Sequence, residues 1–101
     1  MAELRIAREA DDQIRAVERW WRENRPGAPL LFARELAEAL ELLMHAPEIG
    51  ARYDQHGSGT VRRILLGRSR YHVYFSYDAA ANLVEVRALW HAVRGEGPVL
   101  G

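Results

Sequence analysis

The sequence contains no cysteine and no lysine, and every one of its 14 basic residues is arginine. The first absence removes disulfides and thiolate catalysis, and it takes from any zinc site its commonest ligand. The histidines, at positions 45, 56, 72 and 91, lack the close spacing of a ligand set, so neither metal nor cofactor is expected. No apolar run approaches the roughly 20 residues that a membrane span needs. The opening "MAELRIAREADD" has no apolar centre of the kind a signal peptide carries. The expected protein is therefore cytoplasmic, without membrane contact. A GC-rich genome alone produces an arginine-only basic complement, yet each guanidinium still offers a planar fork suited to phosphate and carboxylate.

What is present suits one small globular domain. The chain has 101 residues, 49% hydrophobic and 28% charged, enough for a single core and too apolar for disorder. The expected domain spans residues 1–101, with about 95–101 as a loose tail. Formal charge is zero, but it is unevenly spread: residues 1–50 hold ten acids and seven arginines, and residues 51–101 hold four acids and seven arginines. An acidic half and a basic half point to two surfaces with different partners.

Periodicity changes along the chain. "ELRIARE" (3–9) alternates Leu4 and Ile6 with charge and predicts a short strand. Asp11 or Asp12 then predicts an N-cap, and Ile14, Val17 and Trp21 form one helical stripe up to about Asn24. "RPGAP" breaks that helix. A second helix is predicted over Leu30 to His45, with Phe32, Leu36, Leu40 and Leu43 on one side, and it stops near Pro47 and Gly50. After the polar loop "DQHGSG", the segments 60–68, 70–78 and 82–91 are rich in branched and aromatic residues and bounded by turn residues. They predict an antiparallel meander. The fold class is thus α+β, in the order β-α-α-β-β-β, with a helical hairpin packed on one face of an antiparallel sheet. In the last strand, strict alternation puts Val84, Val86, Ala88 and Trp90 on the core side and Glu85, Arg87, Leu89 and His91 on the open side.

Three features carry possible chemistry. Arg62, Arg63, Arg68, Arg70, Arg87 and Arg94 come from the strand region and, with His91, make a candidate target-binding surface. Solvated edges and turns must claim some of them, because Arg62 and Arg63 point to opposite faces. His91, Tyr74, Arg63, Arg70 and Arg94 also contain the residue types that metal-free RNA cleavage needs: a base for the 2′-hydroxyl, cations for the phosphorane charge and an acid for the leaving oxygen. Many small domains would match that inventory. Trp20 and Trp21 form the third feature, one continuing the core stripe and the other available to anchor a partner chain.

In order and spacing, these segments resemble toxins of the RelE/ParE superfamily from bacterial type II toxin–antitoxin modules, over roughly residues 4 to 95. "ADDQIRAVERWWREN" resembles the first helix of that family, and "FARELAEALELLMHAPEIG" the second, with an "hxPxxG" ending at His45, Pro47 and Gly50. "VRRILLGRSRYHVYFSYD" resembles the "vRxxxxxxxxYxvxY" strand pair, and "VEVRALWHAVRG" the last strand with its "WHxxR" end. The resemblance implies a growth-inhibiting toxin neutralised by an antitoxin from the adjacent gene. It implies a hetero-oligomer in which an antitoxin segment lies across helices and sheet, with Trp20, Trp21, Leu36, Leu40 and Leu43 as expected contacts.

The superfamily divides by target, into ribosome-dependent mRNA endoribonucleases resembling RelE and DNA gyrase inhibitors resembling ParE. After Arg94 this chain offers only "GEGPVLG", without the C-terminal acid–base residue of the nuclease branch, and it has no lysine. The long, well-patterned hairpin also resembles the ParE branch. Gyrase inhibition without catalysis is therefore the expected function. The alternative is mRNA cleavage, and a blander reading is a degenerate toxin that only binds its antitoxin.

Overall fold

A computed structural model describes residues 1–53, 60–93 and 97–98. The elements are β1 (Glu3–Ile6), α1 (Arg8–Asn24), α2 (Leu31–His45), β2 (Ala51–Arg52), β3 (Val61–Leu66), β4 (Tyr71–Asp78) and β5 (Leu83–His91). They form one sheet in the order β1-β5-β4-β3-β2, with the helical hairpin across one face. The α+β class and the hairpin-on-sheet arrangement are as expected. Two details differ. The sheet is mixed, because β1 runs parallel to β5, and a two-residue strand, β2, pairs with β3 through Ala51↔Arg63 and Arg52↔Arg62. Among the described residues no helix is long and apolar enough to cross a membrane.

α1 begins at Arg8, with Ala7 in extended conformation at its N-cap and no side-chain cap bond. The expected capping role of Asp11 and Asp12 is therefore not played. Asp11 is already inside the helix, donating its N–H to the Ala7 carbonyl, and its carboxylate pairs with Arg15 one turn later at 2.9 Å. The acid still sits favourably in the first turn of the helix dipole. The stripe Ala10, Ile14 and Trp21 is buried, as are Phe32, Leu36, Ala39 and Leu43 of α2. These meet Val73, Phe75, Val84, Val86 and Leu89 of the sheet. Phe32 packs edge-on against Tyr71 with ring centroids 5.4 Å apart. Burying so much aliphatic surface is the main stabilising term for a domain of this size.

Gly50 ends the link from α2 to the sheet. It takes φ +87, and a Cβ there would lie 2.6 Å from the Arg63 carbonyl oxygen. Both facts require glycine.

β5 carries an irregularity with large consequences. Tyr74 opposes Ala88, but Phe75 opposes Val86, so Arg87 has no partner across the ladder. An extra residue of this kind is a β-bulge, and it inverts the in–out alternation beyond it. Before the bulge, Val84 and Val86 face the helices. After it, Leu89 joins the helix-side core, while Ala88 packs with Tyr74 and Val61 on the other face, with Trp90 against them. The expected orientation of Ala88, Trp90, Leu89 and His91 is thus reversed. Also beyond the bulge, the outer edge of β5 has no strand beside it, since β1 stops at Ile6 opposite Val86. Gln13 of α1 fills that gap, its Oε1 accepting the Leu89 N–H at 2.7 Å.

Candidate functional site

The face of the sheet away from the helices is called the open face. Arg63 lies near its centre, at a register position opposite Tyr74. An Arg63 Nη1–H donates to the Tyr74 hydroxyl at 3.3 Å, and the guanidinium carbon stands 5.7 Å from the Tyr53 ring centroid. Tyr53 packs edge-on over Tyr74 at 4.7 Å between centroids, and its hydroxyl donates to the Pro98 carbonyl at 2.8 Å. Pro98 is buried, and Gly97 lies against the Tyr53 ring. Tyr74 is only 1% exposed. Tyr53, although short of full burial, has its phenol pushed up by desolvation and by neighbouring Tyr74, with Arg63 opposing.

His72 shares this face, two residues before Tyr74, the bonding partner of Arg63. Desolvation first, then the charges of Arg63 and Arg70, hold its imidazole below the ordinary value. Neutral imidazole is the form that burial and neighbouring cations favour. Arg87, on the bulge, approaches Glu85 at 4.0 Å.

The other expected target-binding residues lie elsewhere. Arg62 points to the β2 edge, where its Nη1 reaches the Gly50 carbonyl at 3.4 Å. Arg68 and Arg70 occupy the turn between β3 and β4, Arg70 with a left-handed φ of 67. His91 packs edge-on against Tyr71 at 4.9 Å on the helix side, not on the open side. Arg94 lies outside the described residues. The expected nuclease set of His91, Tyr74, Arg63, Arg70 and Arg94 is therefore not gathered: Arg63 and Tyr74 are on one face, and His91 is on the other.

The turn between β3 and β4 is held from α2. Glu35 accepts hydrogen bonds from the Arg68 N–H at 2.7 Å, the Ser69 N–H at 3.0 Å and the Ser69 hydroxyl at 2.6 Å. Behind this turn is a cavity of 320 Å³ lined by Trp20, Trp21, Arg25, Arg68, Ser69, Arg70, Tyr71 and His91. The Arg25 guanidinium stacks over both tryptophans, at 5.2 and 5.8 Å from their rings.

The residues expected to meet an antitoxin divide in the same way. Trp21, Leu36 and Leu43 are inside the core of the chain, at 9%, 5% and 0% exposure, and Leu40 is partly buried there. Their helical stripe is used on the sheet. Trp20 at 44% and Leu42 at 51% are the large apolar groups that α1 and α2 expose. Tyr53 and Glu35 were not singled out by spacing, because each acts through a partner far away in sequence, whereas Arg25 and His72, whose partners are near in sequence, belong to no periodic pattern. Among the described residues no group of three or more histidine, cysteine or acidic side chains could hold a metal.

Comparison with known proteins agrees with this architecture. The family model described as the ParE toxin of the type II toxin–antitoxin system, parDE, matches residues 4–95. The structure of a chromosomal ParDE system from P. aeruginosa superposes with a TM-score of 0.71 at 18% identity, covering 90% of this chain and 96% of that one. The isolated E. coli RelE toxin gives 0.63 at 20% identity, covering 95% and 89%. The archaeal RelE–RelB complex from Pyrococcus horikoshii gives 0.64 at 15% identity, covering 93% and 98%. None of the curated proteins matches the chain significantly. At these identities the structural likeness speaks for the fold alone.

Proposed function

The chain belongs to the ParE toxin family of type II toxin–antitoxin systems, and from that membership we propose that it arrests growth by binding and poisoning DNA gyrase through the open face of its sheet. The observation that carries this reading is the separation of the nuclease candidates. General acid–base catalysis needs its groups within hydrogen-bond reach of one reacting centre. Here Tyr74 is 1% exposed and its hydroxyl is taken by Arg63, while His91 packs on Tyr71 on the far side of the sheet. A binding surface makes no such demand. Arg63, with Arg87 on the same face, supplies positive charge beside aromatic area, and Trp90 borders it.

A second reading, ribosome-dependent cleavage of mRNA, is favoured by His72. Desolvation, then Arg63 and Arg70, push its imidazole below the ordinary value, which favours the uncharged ring that a general base needs. Gyrase supercoiling assays with the purified chain, run beside primer extension on messages from expressing cells, separate the two. Supercoiling unaffected at concentrations that stop growth would refute gyrase poisoning. Codon-linked cuts that vanish in His72→Ala would establish the nuclease reading.

The neutralising partner in this proposal is an antitoxin encoded by the adjacent gene, forming a hetero-oligomer with the toxin. Structures of ParDE and RelE–RelB complexes among the similar folds support a partner of that kind. Trp20 and Leu42 are the anchors it would use, being large, apolar and exposed. Loss of co-purification in the double variant Trp20→Ala/Leu42→Ala tests this.

A further inference from the structure

We infer that the cavity between the end of α1 and the β3–β4 turn is a phosphate-binding site, separate from the open face and independent of which target the toxin acts on. Arg25, Arg68 and Arg70 line it, with His91 and the aromatic walls of Trp20, Trp21 and Tyr71. None of the three arginines makes a salt bridge among the described residues. Glu35, which holds the same turn, has both oxygens committed to its backbone and hydroxyl, leaving its charge to offset Arg68 only in part.

His91 adds a further donor. Its Nδ1 accepts the Val93 N–H at 3.2 Å, so in the neutral ring the proton sits on Nε2. The cavity therefore presents guanidinium forks and an imidazole N–H without an acceptor of matching charge. A phosphate group near neutral pH carries about two negative charges and three acceptor oxygens. That matches three arginines of which one is partly offset, whereas a single carboxylate leaves positive charge uncompensated. Arginine forks bind phosphate oxygens in pairs. The volume, 320 Å³, lies at the small end of the range of ligand pockets, from about 300 Å³ upward. It suits a phosphoryl group with one ring beside Trp20, from either a free nucleotide or the terminal phosphate of a nucleic-acid strand.

The test uses the full chain in a Trp90→Phe background, so that emission reports Trp20 and Trp21. Inorganic phosphate, adenosine monophosphate, a short single-stranded oligonucleotide with a terminal phosphate and glutamate are titrated at constant ionic strength, and calorimetry measures the same equilibria. Saturable quenching by the phosphate-bearing probes and not by glutamate is expected. Arg25→Gln and Arg68→Gln should each weaken it roughly tenfold, the loss expected for one charged hydrogen bond. Calorimetry guards against Arg25→Gln changing emission directly, and His91→Phe gives a second, independent lesion. Tighter binding of the monophosphate than of inorganic phosphate assigns the ring to the site. Tighter binding of the oligonucleotide than of the monophosphate assigns a strand. Equal response to glutamate, a response that follows ionic strength alone, or variants that bind as well as the parent would overturn the inference.

Discussion

Replacing Glu35 by alanine should loosen the β3–β4 turn, and with it the placement of Arg68 and Arg70, by a measurable amount. The carboxylate accepts three hydrogen bonds, from the Ser69 hydroxyl at 2.6 Å, the Arg68 N–H at 2.7 Å and the Ser69 N–H at 3.0 Å. Burial alone would raise its pKa, but these bonds and the charge of Arg68 outweigh burial and hold it below its ordinary value of 4.5. A hydrogen bond to a charged group contributes about 1.5–3 kcal/mol when shielded, and much less where water competes. The Ser69 bonds are part-buried and the Arg68 bond is exposed. The loss in Glu35→Ala is thus about 2 kcal/mol at neutral pH after discounting for solvent, or roughly 8 °C in Tm for a domain of this length. Glu35→Gln, which keeps one acceptor oxygen, should lose about half of that.

The pH dependence follows from the sign of the shift. A lowered folded-state pKa contributes stability that is full above the unfolded value, 4.5, and is lost as pH falls through the folded value. Urea melts of the parent and both variants at neutral pH and in acid check this. Parent and Glu35→Ala agreeing within about 0.5 kcal/mol at neutral pH would refute the bonding argument. A gap as wide in strong acid as at neutral pH would refute its electrostatic part.

Gly50→Ala should destabilise by roughly 2 kcal/mol or more, since φ is +87 and the new Cβ would meet the Arg63 carbonyl oxygen at 2.6 Å; a thermal melt reads it, and no shift would mean the link relaxes freely. His72 is held below its ordinary value of 6.5 by desolvation, Arg63 and Arg70, so its contribution is intact above that pH and is lost as pH falls below it toward the folded value. The Tm of the parent should therefore drop more steeply in mild acid than that of His72→Asn, and parallel curves would contradict it. Under the gyrase reading, Arg63→Ala should abolish growth arrest while His91→Ala retains it, because only Arg63 is on the open face; equal loss in both variants, each still folded by circular dichroism, would reject that division of roles.

The helices and the meander were legible because each has an uninterrupted period: Phe32, Leu36 and Leu43 repeat at helical spacing, and Val73, Phe75 and Tyr77 alternate, and both rows meet the same core. Glu35 was not legible, since its partners, Arg68 and Ser69, stand 33 and 34 residues away. The parallel pairing of β1 was equally hidden, because a four-residue strand alternates in the same way whichever direction its neighbour runs.

The site was misread at one residue. Alternation along "VEVRALWH" is regular in the letters, and Trp90 follows Val86 and Ala88 at every second position. Yet Leu89 offers the helices a larger side chain than Ala88 does. Continuing the alternation would bury Ala88 against α1 and set Leu89 in water. One unopposed residue at Arg87 puts Leu89 into the core, at 4% exposed, and leaves Arg87 itself beside Glu85 on the open face. Burying a leucine in place of an alanine contributes about 2 kcal/mol or more, which exceeds the modest loss of one ladder position, that of Arg87. The same step carries His91 across the sheet, away from Arg63 and into the cavity of Arg25, Arg68 and Arg70. Because Arg87 is the extra residue, deleting it should make the ladder regular while Leu89 and His91 stay on the helix side and Ala88 and Trp90 stay on the open face, Val86 and Ala88 then standing opposite Phe75 and Tyr74 in succession. The expected result is a folded variant with unchanged tryptophan emission and a Tm near that of the parent. A large fall in Tm together with altered tryptophan emission would show that the pairing beyond Arg87 depends on the bulge itself.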